Sequence, residues 1–396
     1  MTTAGAPPRP LEGAGISAGL MVLLSVTLLA TAGTIHLHTP MLVELGRHFG
    51  ADAADVGWVA TLSFAGYVAG TIVLVPIGDR ADKRRLIISK MAVLVVALLA
   101  MAAAPTLTVL AAGSFVVGVC ASVSQDVIPF VAEFAAPAER GHAVGTLLSG
   151  LFVGILLGRI SGGLIATYLG WRWAYVLPAG LIAALLPLVV AHVPSAPGRT
   201  RLGYAALMRS LVQLLRDHPE LRRASAIQAL LGVGYGGFWA TLAQMMATLH
   251  GLGPTAAGLI AIPGAAGALL ARPAGRAMDR YGATPTVIAA ACLVIAAYCA
   301  YALVWFSVAA IAVAAALLDS GIRSAAVANQ TLITNLDPAA RSRSNTVFTA
   351  HTFGGYSVGA FIATLAWVHA GWFGVCLSGL TFAIAALAVQ LRARRA

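Results

Sequence analysis

Several ionisable residues of this sequence stand inside long apolar stretches, where a charge is costly unless it is paired or faces water. Asp319 and Arg323 are four positions apart, so on a helix they can pair on one face. Asp126 has no such partner along its own stretch, and an unpaired carboxylate in apolar surroundings can exchange a proton near neutral pH. We therefore expect Asp126 to carry protons, with Asp319 as a further candidate. The alternatives are structural ion pairs, with a basic residue of another helix for Asp126 and with Arg323 for Asp319.

Arg159 and His36 add two further groups that could do chemistry. Arg159 carries a permanent charge deep in an apolar stretch, so it needs an anionic partner. Either Asp319 or a negatively charged substrate would serve. His36, shortly before Pro40, can bind a proton near neutral pH and is the third candidate for proton coupling. The alternative for His36 is a hydrogen-bonded helix residue.

Other polar side chains in the apolar stretches could line a central cavity. Tyr235 and Trp239 are four positions apart and form one aromatic face, which serves either packing or ligand binding. The set suggests a mostly apolar site with a few hydrogen-bonding groups. The candidates for the substrate cavity are Arg159, Gln125, Gln228, Tyr235, Trp239, Gln244, Arg323, Asn329, Gln330 and His351.

The composition indicates that membrane helices position these residues. Hydrophobic residues make up 59% of the chain and charged residues 10%, which is too little charge for the surface of a soluble protein of 396 residues. Apolar runs of about 20 residues, the length of a helix that crosses the bilayer core, recur twelve times. They lack the alternation of β-barrel strands, and the first is too long for a cleaved signal peptide. The predicted spans are 16–40, 57–78, 86–104, 108–132, 143–167, 173–192, 225–248, 256–277, 284–303, 305–332, 345–368 and 372–391.

Four sequence landmarks occur twice, in the same order and about 200 residues apart. Such a spacing indicates a duplicated unit. We therefore predict an all-α membrane protein of two six-helix bundles, with a site between them near the middle of the bilayer. The pairs are Gly57 and Gly258, Asp79-Arg80 and Asp279-Arg280, Pro137-Ala138 and Pro338-Ala339, and Gly170-Trp171 and Gly371-Trp372.

A longer polar segment separates the two predicted bundles. The expected domains are residues 1–192, a linker over 193–224 and residues 225–396. The linker begins with a proline-containing break and continues with leucines at helical spacing among arginines. This pattern predicts an amphipathic helix on the membrane surface.

Basic residues are distributed unevenly between the predicted loops. If both termini lie on one side, that side holds 20 of the 25 Lys and Arg residues, whereas the other side holds Arg47 and Arg172. By the positive-inside rule both termini are then cytoplasmic, and we expect the protein in the inner membrane. The net charge of +11 is thus a topology signal, and we expect no nucleic-acid partner.

Other classes of chemistry lack their sequence signals. The four cysteines fall inside predicted spans, so we expect buried thiols without a disulfide. No cluster has the spacing of a metal site, and no phosphate-binding loop or soluble domain is predicted. We therefore expect no enzyme activity, no cofactor and no metal, with an ion gradient as the source of energy.

The loop after the second span carries the clearest motif, which reads Val75-Pro76-Ile77-Gly78-Asp79-Arg80-Ala81-Asp82-Lys83-Arg84-Arg85. It resembles the signature Gly-x-Leu-x-Asp-Arg-x-Gly-Arg-Arg of the major facilitator superfamily, with Val75 and Asp82 in place of two glycines. Residues 275–282 resemble it more closely. The resemblance extends over the whole chain and implies a monomeric twelve-helix transporter. It also implies a gating loop in which Asp79 meets the N-terminal end of span 11. The gating-loop residues are Asp79, Arg80, Lys83, Arg84, Asp279 and Arg280.

Within that superfamily, the chain resembles bacterial twelve-span exporters of the drug and sugar efflux type. The resemblance rests on residues 137–159 and 319–345. Many proton-coupled drug exporters have an arginine in span 4, where this chain has Ser114, and a Gly-Pro pair in span 5, where it has Gly154-Ile155.

These observations predict a secondary transporter in the lipid bilayer that exports a small organic compound in exchange for protons. One alternative is a proton symporter that takes up a sugar, an organic acid or another nutrient. An alternative of another class is a membrane receptor that has the fold but does not transport. Fold alone does not fix the substrate.

Overall fold

The computed structural model describes residues 16–136, 139–198, 203–267, 276, 278, 280–337 and 340–395. Over these ranges the chain forms helices and no strands, so the predicted all-α class is confirmed. Among the residues singled out from the sequence, Asp279 and the pairs Pro137-Ala138 and Pro338-Ala339 lie outside the described part of the chain.

Within the described ranges, twelve membrane spans follow one another. Ten helical segments are long and apolar enough to cross a membrane, one of them holds spans 11 and 12 joined at Gly371, and a shorter apolar helix forms the described part of span 8. The helices are Ala18–Ala32 and Leu42–Phe49 (span 1), Ala53–Ala69 and Val75–Gly78 (span 2), Lys83–Ala102 (span 3), Leu107–Ala121 and Ser124–Phe134 (span 4), Arg140–Leu169 (span 5), Trp173–His192 (span 6), Tyr204–Asp217 (the linker helix), Pro219–His250 (span 7), Pro254–Leu259 and Ala261–Gly267 (span 8), Ala283–Leu303 (span 9), Val308–Leu336 (span 10) and Arg341–Arg395 (spans 11 and 12).

The repeat is also visible in the backbone. Gly50 ends span 1 at φ 64° and Gly251 ends span 7 at φ 65°. Gly170 separates spans 5 and 6 at φ 90°, and Gly371 separates spans 11 and 12 at φ 57°. Because a side chain is strained at such angles, glycine is required at the same turns in both halves. We call the end of the bundle with these four turns the glycine end.

The other end of the bundle carries the linker helix and the loop over residues 79–85, and we call it the basic end. Asp82 connects the two segments, because its carboxylate accepts hydrogen bonds from the Ser195 hydroxyl and the Ala196 amide. The linker helix packs its leucines on protein, in a cluster with the basic ends of spans 7, 10 and 11. The predicted amphipathic face is thus used within the molecule and not against lipid.

Each half has its own buried hydrophobic cluster, one built almost wholly from spans 1–6 and one from spans 7–12. Large apolar side chains also cover the outer surface; Val96, for example, is 67% exposed. An apolar exterior is stable only in contact with lipid. All four cysteines are free, as expected, but Cys292 and Cys299 are exposed and not buried. The prediction of buried thiols was wrong for these two because hydropathy does not distinguish lipid-facing from core positions.

Span 1 is interrupted in the middle of the bundle. Two short 3₁₀ turns, Thr34–His36 and Thr39–Met41, separate its two α-helical parts. Pro40 lacks an amide hydrogen and disturbs a regular helix here. Thr39 donates its hydroxyl to the carbonyl of His36 and so satisfies part of the opened backbone. The interruption places His36 in the buried interior.

Close packing joins the halves from the middle of the bundle to the glycine end. A β-carbon on Gly57 of span 2 would lie 2.5 Å from Thr364 of span 11, and one on Gly163 of span 5 would lie 2.4 Å from the carbonyl oxygen of Pro254 in span 8. Gly57 and Gly163 must therefore lack side chains. The two crossings have corresponding positions in the repeat.

Candidate functional site

Arg159 lies at the centre of the interface between the two halves. It is 3% exposed, and it stands 19 residues after the start of span 5 and 10 before its end. Its guanidinium carbon is 3.6 Å from the ring centroid of Trp239, and Nη2 donates a hydrogen bond of 3.1 Å to the Tyr235 hydroxyl. The aromatic face predicted on span 7 is therefore a platform for a cation from the other half. A desolvated cation–π contact contributes about 2 kcal/mol.

The Tyr235 hydroxyl connects Arg159 to Asp319. It accepts the hydrogen bond from Arg159 and donates one of 3.5 Å to Oδ1 of Asp319. Nη2 of Arg323 is 3.4 Å from the same oxygen, which gives the predicted ion pair on span 10. No ion pair within the described residues joins Arg159 directly to Asp319. Asp319, one of the two partners expected for Arg159, is instead connected to it through the Tyr235 hydroxyl. We call Arg159, Tyr235, Asp319 and Arg323 the central relay.

His36 borders the central relay from span 1. Its Nδ1 is 3.5 Å from Nη2 of Arg159. Because an arginine can only donate, this contact requires an unprotonated Nδ1 and a neutral ring. A proton on both nitrogens would place two cations in contact, so a charged His36 is compatible only with a displaced Arg159.

Aromatic rings surround the relay along the interface. Tyr235 packs on Tyr356 with centroids 4.7 Å apart, and Tyr67 stacks on Phe353 at 3.9 Å. On the other side, the Arg323 guanidinium carbon lies 4.7 Å from the ring of Phe152 in span 5. The relay is thus held in a mostly apolar environment, where its electrostatic interactions are strengthened.

A second polar contact between the halves lies nearer the basic end. Gln330 donates to the side-chain oxygen of Asn345 at 2.7 Å, and Asn345 donates to Gln125 at 3.4 Å. Gln125 also donates to the Tyr67 hydroxyl at 3.1 Å. Two cavity candidates, Gln125 and Gln330, are therefore brought together by Asn345, which sequence reasoning did not select.

Asp126 lies away from the central relay. Its Oδ2 is 2.5 Å from Nζ of Lys90 in span 3, and both side chains are 2% exposed. Nζ also donates to the Ser122 hydroxyl at 3.1 Å. Asp126 therefore has the cross-helix basic partner that was the alternative to a free carboxylate, and its role in proton coupling remains a prediction.

The other cavity candidates do not join the relay. Gln228 donates to the carbonyl of Ile322 at 3.4 Å and so links spans 7 and 10. Gln244 and Asn329 are buried, and each has a side-chain atom without a partner. His351 contacts the carbonyl of Val347 on its own helix through Nδ1. Within the described residues, no hydrogen bond connects these four to Arg159 or Asp319.

The gating loop is organised by contacts at the basic end. Lys83 forms an ion pair with Glu133 of span 4, and Arg84 donates to the carbonyl of Val190 at 2.5 Å. Burial raises the pKa of Asp79, while Lys83 and Arg343 act to lower it. Arg343 lies in the first turn of span 11, so Asp79 faces the end of the helix predicted to receive it.

The two loop arginines stay at the surface. Arg80 is exposed and, with Tyr204 of the linker helix, lines a cavity of about 600 Å³ at the basic end. Arg280, in the second copy of the motif, lies with its guanidinium carbon 5.2 Å from the ring of Tyr281.

Lys90 is the main residue that sequence reasoning missed, although it falls inside the predicted span 86–104. A signal for it was present. Lys90 lies seven residues into span 3 from the basic end, and Asp126 lies eight residues from the end of span 4. At 1.5 Å per residue both are about 10–12 Å deep. Two opposite charges at equal depth on consecutive antiparallel helices indicate a pair.

Known proteins of similar sequence and fold agree with this architecture. Residues 22–226 match the family model of the Major Facilitator Superfamily. The chain is 32% identical to YgaY of Escherichia coli O157:H7, described as an uncharacterized transporter, over 95% of this chain and 96% of that protein. It is 31% identical to SCO4007 of Streptomyces coelicolor, described as a probable transporter, over 95% and 88% of the two chains.

A solved structure has the same fold. The bacterial homologue of the human lysosomal transporter Spinster, in an inward-facing and occupied conformation, aligns with a TM-score of 0.73 at 16% identity, over 94% of this chain and 96% of that one. The chain belongs to the Major Facilitator Superfamily. It is a multi-pass membrane transporter and not an enzyme, and its twelve helices have the predicted architecture.

Proposed function

We propose that this protein is a proton-coupled transporter that moves a small organic compound by alternating access, with Asp319 as the group that binds the proton. The observation that supports this most strongly is the central relay. Arg159 of one half donates to Tyr235 of the other, and Tyr235 donates to Asp319. The charge state of one buried carboxylate therefore bears directly on a contact between the two moving parts.

The coupling step follows from the partners of Asp319. When ionised, the carboxylate attracts Arg323 and holds the Tyr235 hydroxyl in the orientation that accepts from Arg159. A proton on Asp319 removes the charge that balances the two arginines. The contact across the interface is then weaker, and the halves can separate at this level. A ligand shifts such an equilibrium only through its different affinity for the two conformations.

Two gates complete the cycle in this proposal. The glycine end is closed by two crossings, at which the backbone of Gly57 lies against the side chain of Thr364 and the backbone of Gly163 lies against that of Pro254. At the basic end, Asp79 acts as a latch against the positive N-terminal end of span 11, where Arg343 adds to its attraction. The rest of the loop, with Lys83 held by Glu133, stays attached to its own half.

The basic end faces the cytoplasm of the inner membrane in this proposal. Within the described residues, Arg80, Arg84 and Arg341 lie there with the linker helix, whereas Arg47 and Arg172 lie near the glycine end. Such an asymmetry fixes orientation during insertion.

Export in exchange for protons is the first mode we propose. The resemblance of residues 137–159 and 319–345 to drug and sugar exporters supports this direction. In this mode the substrate and the proton compete for the relay, so that each leaves when the other binds.

Uptake together with protons is the second mode, and the charge of the relay favours it. Arg323 pairs with Asp319 directly and Arg159 is connected to it through Tyr235, so one carboxylate stands against two cations. A proton on Asp319 leaves both cations unbalanced, so a substrate with negative charge would bind the protonated form more tightly. Proton and substrate would then travel in the same direction.

Proton movement in reconstituted vesicles tests the proposal. The protein is inserted into proteoliposomes that enclose a pH-sensitive dye, a pH gradient is imposed, and cationic, neutral and anionic compounds are added in turn. We expect one class to change the proton flux in the wild type and not in Asp319→Asn. The sign of the flux distinguishes exchange from co-transport. Compound flux without proton movement would overturn the coupling.

A further inference from the structure

The charges at the centre of the interface are out of balance. Arg159, Arg323 and Asp319 meet there, and Asp319 is the acidic side chain that contacts the cluster within the described residues. Its Oδ1 is already used by Arg323 and Tyr235. Arg159, at 3% exposure, has no carboxylate within ion-pairing distance among those residues. A buried cation without a counter-charge is costly, and an anion that enters the site removes that cost.

Two hydrogen-bond donors, one on Arg159 and one on Trp239, are also without acceptors. Nε of Arg159 and Nε1 of Trp239 are both fully enclosed and make no hydrogen bond. Neither group can accept a hydrogen bond, so each needs an acceptor, and in this conformation neither is paired with the buried acceptors Oδ2 of Asp319 and Oε1 of Gln244, which are also without partners. Buried donors left without a partner are destabilising, and such groups in a native structure need an explanation.

The two residues that carry these donors line the same cleft between the halves. Arg159 and Trp239 line it together with Thr39, Pro40, Leu242 and Ala257. The cleft has no room for a water molecule in this conformation, so water cannot satisfy the donors here. A ligand enters only when the two halves move apart, because Arg159 belongs to one half and Trp239 to the other. The other walls of the cleft are mostly apolar.

We propose that Arg159 and Trp239 hold the anionic group of the substrate, a carboxylate or sulfonate attached to an apolar or aromatic body. The inference rests on the proposed transport function but not on its direction. The anion accepts from the guanidinium and the indole, and charge-assisted bonds of this kind are the strongest available to a side chain. The body of the substrate packs on Leu242 and on the rings that surround the relay. A cation is disfavoured because the site already holds two.

Binding to the purified protein tests the charge of the substrate without any gradient. Three aromatic probes of similar size differ in charge: benzenesulfonate, benzyl alcohol and phenyltrimethylammonium. Their affinities are measured by equilibrium dialysis in detergent micelles. We expect benzenesulfonate to bind most tightly and Arg159→Gln to lower its affinity at least tenfold. Trp239→Phe, which keeps one aromatic ring beneath Arg159 but removes the indole donor, should weaken the affinity for benzenesulfonate about threefold.

Arg172 offers a matched control, because it also lies over a tryptophan. Its guanidinium carbon is 4.4 Å from the ring of Trp171, but the residue is exposed at the glycine end. Arg172→Gln should leave the affinity for benzenesulfonate unchanged. If Arg159→Gln does not fold, as judged by gel filtration, Arg159→Lys and Trp239→Phe replace it. Both should lower the affinity for benzenesulfonate and leave the affinities for the other two probes unchanged.

The possible outcomes separate this inference from the proposed function. Preferred binding of phenyltrimethylammonium, equal binding of all three probes, or binding of none would overturn the anionic site, even if proton-coupled transport is observed. Binding of benzenesulfonate that depends on Arg159, without any proton movement in vesicles, would support the anionic site and overturn the coupling.

Discussion

Two buried ion pairs of the same chemistry occupy different places in this molecule. Asp126 and Lys90 join spans 3 and 4, both of which belong to the first half. Asp319 and Arg323 lie together on span 10, and their other contacts lead through Tyr235 and Phe152 towards the first half. The first pair is enclosed in one bundle and the second borders the interface.

This difference decides what a change of charge can do. In the proposed alternating access, the contact between Lys90 and Asp126 stays within one half, whereas the contact that Asp319 makes with Arg159 through Tyr235 crosses between the halves. Only a group whose affinity for a proton differs between conformations can couple proton binding to movement. Burial and charge alone therefore do not identify a coupling residue.

The largest predicted effect concerns the loss of each carboxylate. Asp319→Asn should abolish compound-dependent proton flux in proteoliposomes, because the side chain keeps its shape but no longer binds a proton. Asp126→Asn should retain compound-dependent proton flux. The flux of both variants is expressed per molecule of folded protein, so that a loss of folded protein is not counted as a loss of coupling. Coupling that survives in Asp319→Asn and disappears in Asp126→Asn would reverse the comparison.

Sequence reasoning reached the fold because the bilayer imposes it. A helix needs about 20 apolar residues to span the core, and that length repeats twelve times along the chain. The pairing of Asp319 with Arg323 was equally accessible, since it depends only on four-residue spacing along one helix. The rotation of each helix about its axis was not accessible. Tyr235 mediates between Arg159 and Asp319 only because span 7 is turned towards both.

The contacts between helices were the least predictable part of the site. Asp126 looked unpaired because its partner, Lys90, is on another helix. Asn345 is polar without being charged, so nothing in the pattern separated it from other polar residues.

The second prediction concerns stability within the first half. Asp126→Ala leaves Lys90 buried and uncompensated, which should lower the free energy of unfolding by about 3–5 kcal/mol. The double variant Lys90→Met with Asp126→Leu removes both charges and should recover most of that loss. Thermal unfolding in detergent measures both. A single variant as stable as the wild type would show that Lys90 reaches water, and the enclosed pair would not be structural.

The third prediction uses neighbouring glycines that face different partners. A β-carbon on Gly162 would lie 2.2 Å from the carbonyl oxygen of Leu37 in the same half, whereas one on Gly163 would lie 2.4 Å from that of Pro254 in the other half. Each alanine variant should cost about 1–3 kcal/mol through overpacking. Only Gly163→Ala should also open the glycine end, because the strain falls between the moving halves.

Spin labels at Tyr168 and Leu249, on different halves near the glycine end, measure this opening in a protein without its native cysteines. Gly163→Ala should shift their distance distribution to longer values, and Gly162→Ala should not. Equal shifts in both variants would mean that the spacing at this end follows general destabilisation and not the contact between halves.

The smallest effect is expected for Asp82, a carboxylate at the surface of the basic end. Burial acts to raise its pKa, but hydrogen bonds from Ala196, Ser195 and the Arg84 amide outweigh this, and the pKa lies below the ordinary value of 3.8. Its contribution to stability is therefore present above about pH 3.8 and is lost as the pH falls through the lower folded value. Cleavage of the segment over 193–198 by an acid protease should increase over that range.

Substitution of Asp82 completes the comparison of carboxylates. Asp82 caps the start of span 3, where asparagine caps equally well. Asp82→Asn should change the thermal unfolding temperature little and remove the pH dependence of the cleavage, while Asp82→Ala should cost about 1 kcal/mol. A loss of stability in Asp82→Asn as large as that in Asp126→Ala would mean that a charge at the surface contributes as much as one in the core. We expect the effects of substitution to rank in this order because water solvates Asp82, whereas Asp126 and Asp319 are buried and depend on protein partners.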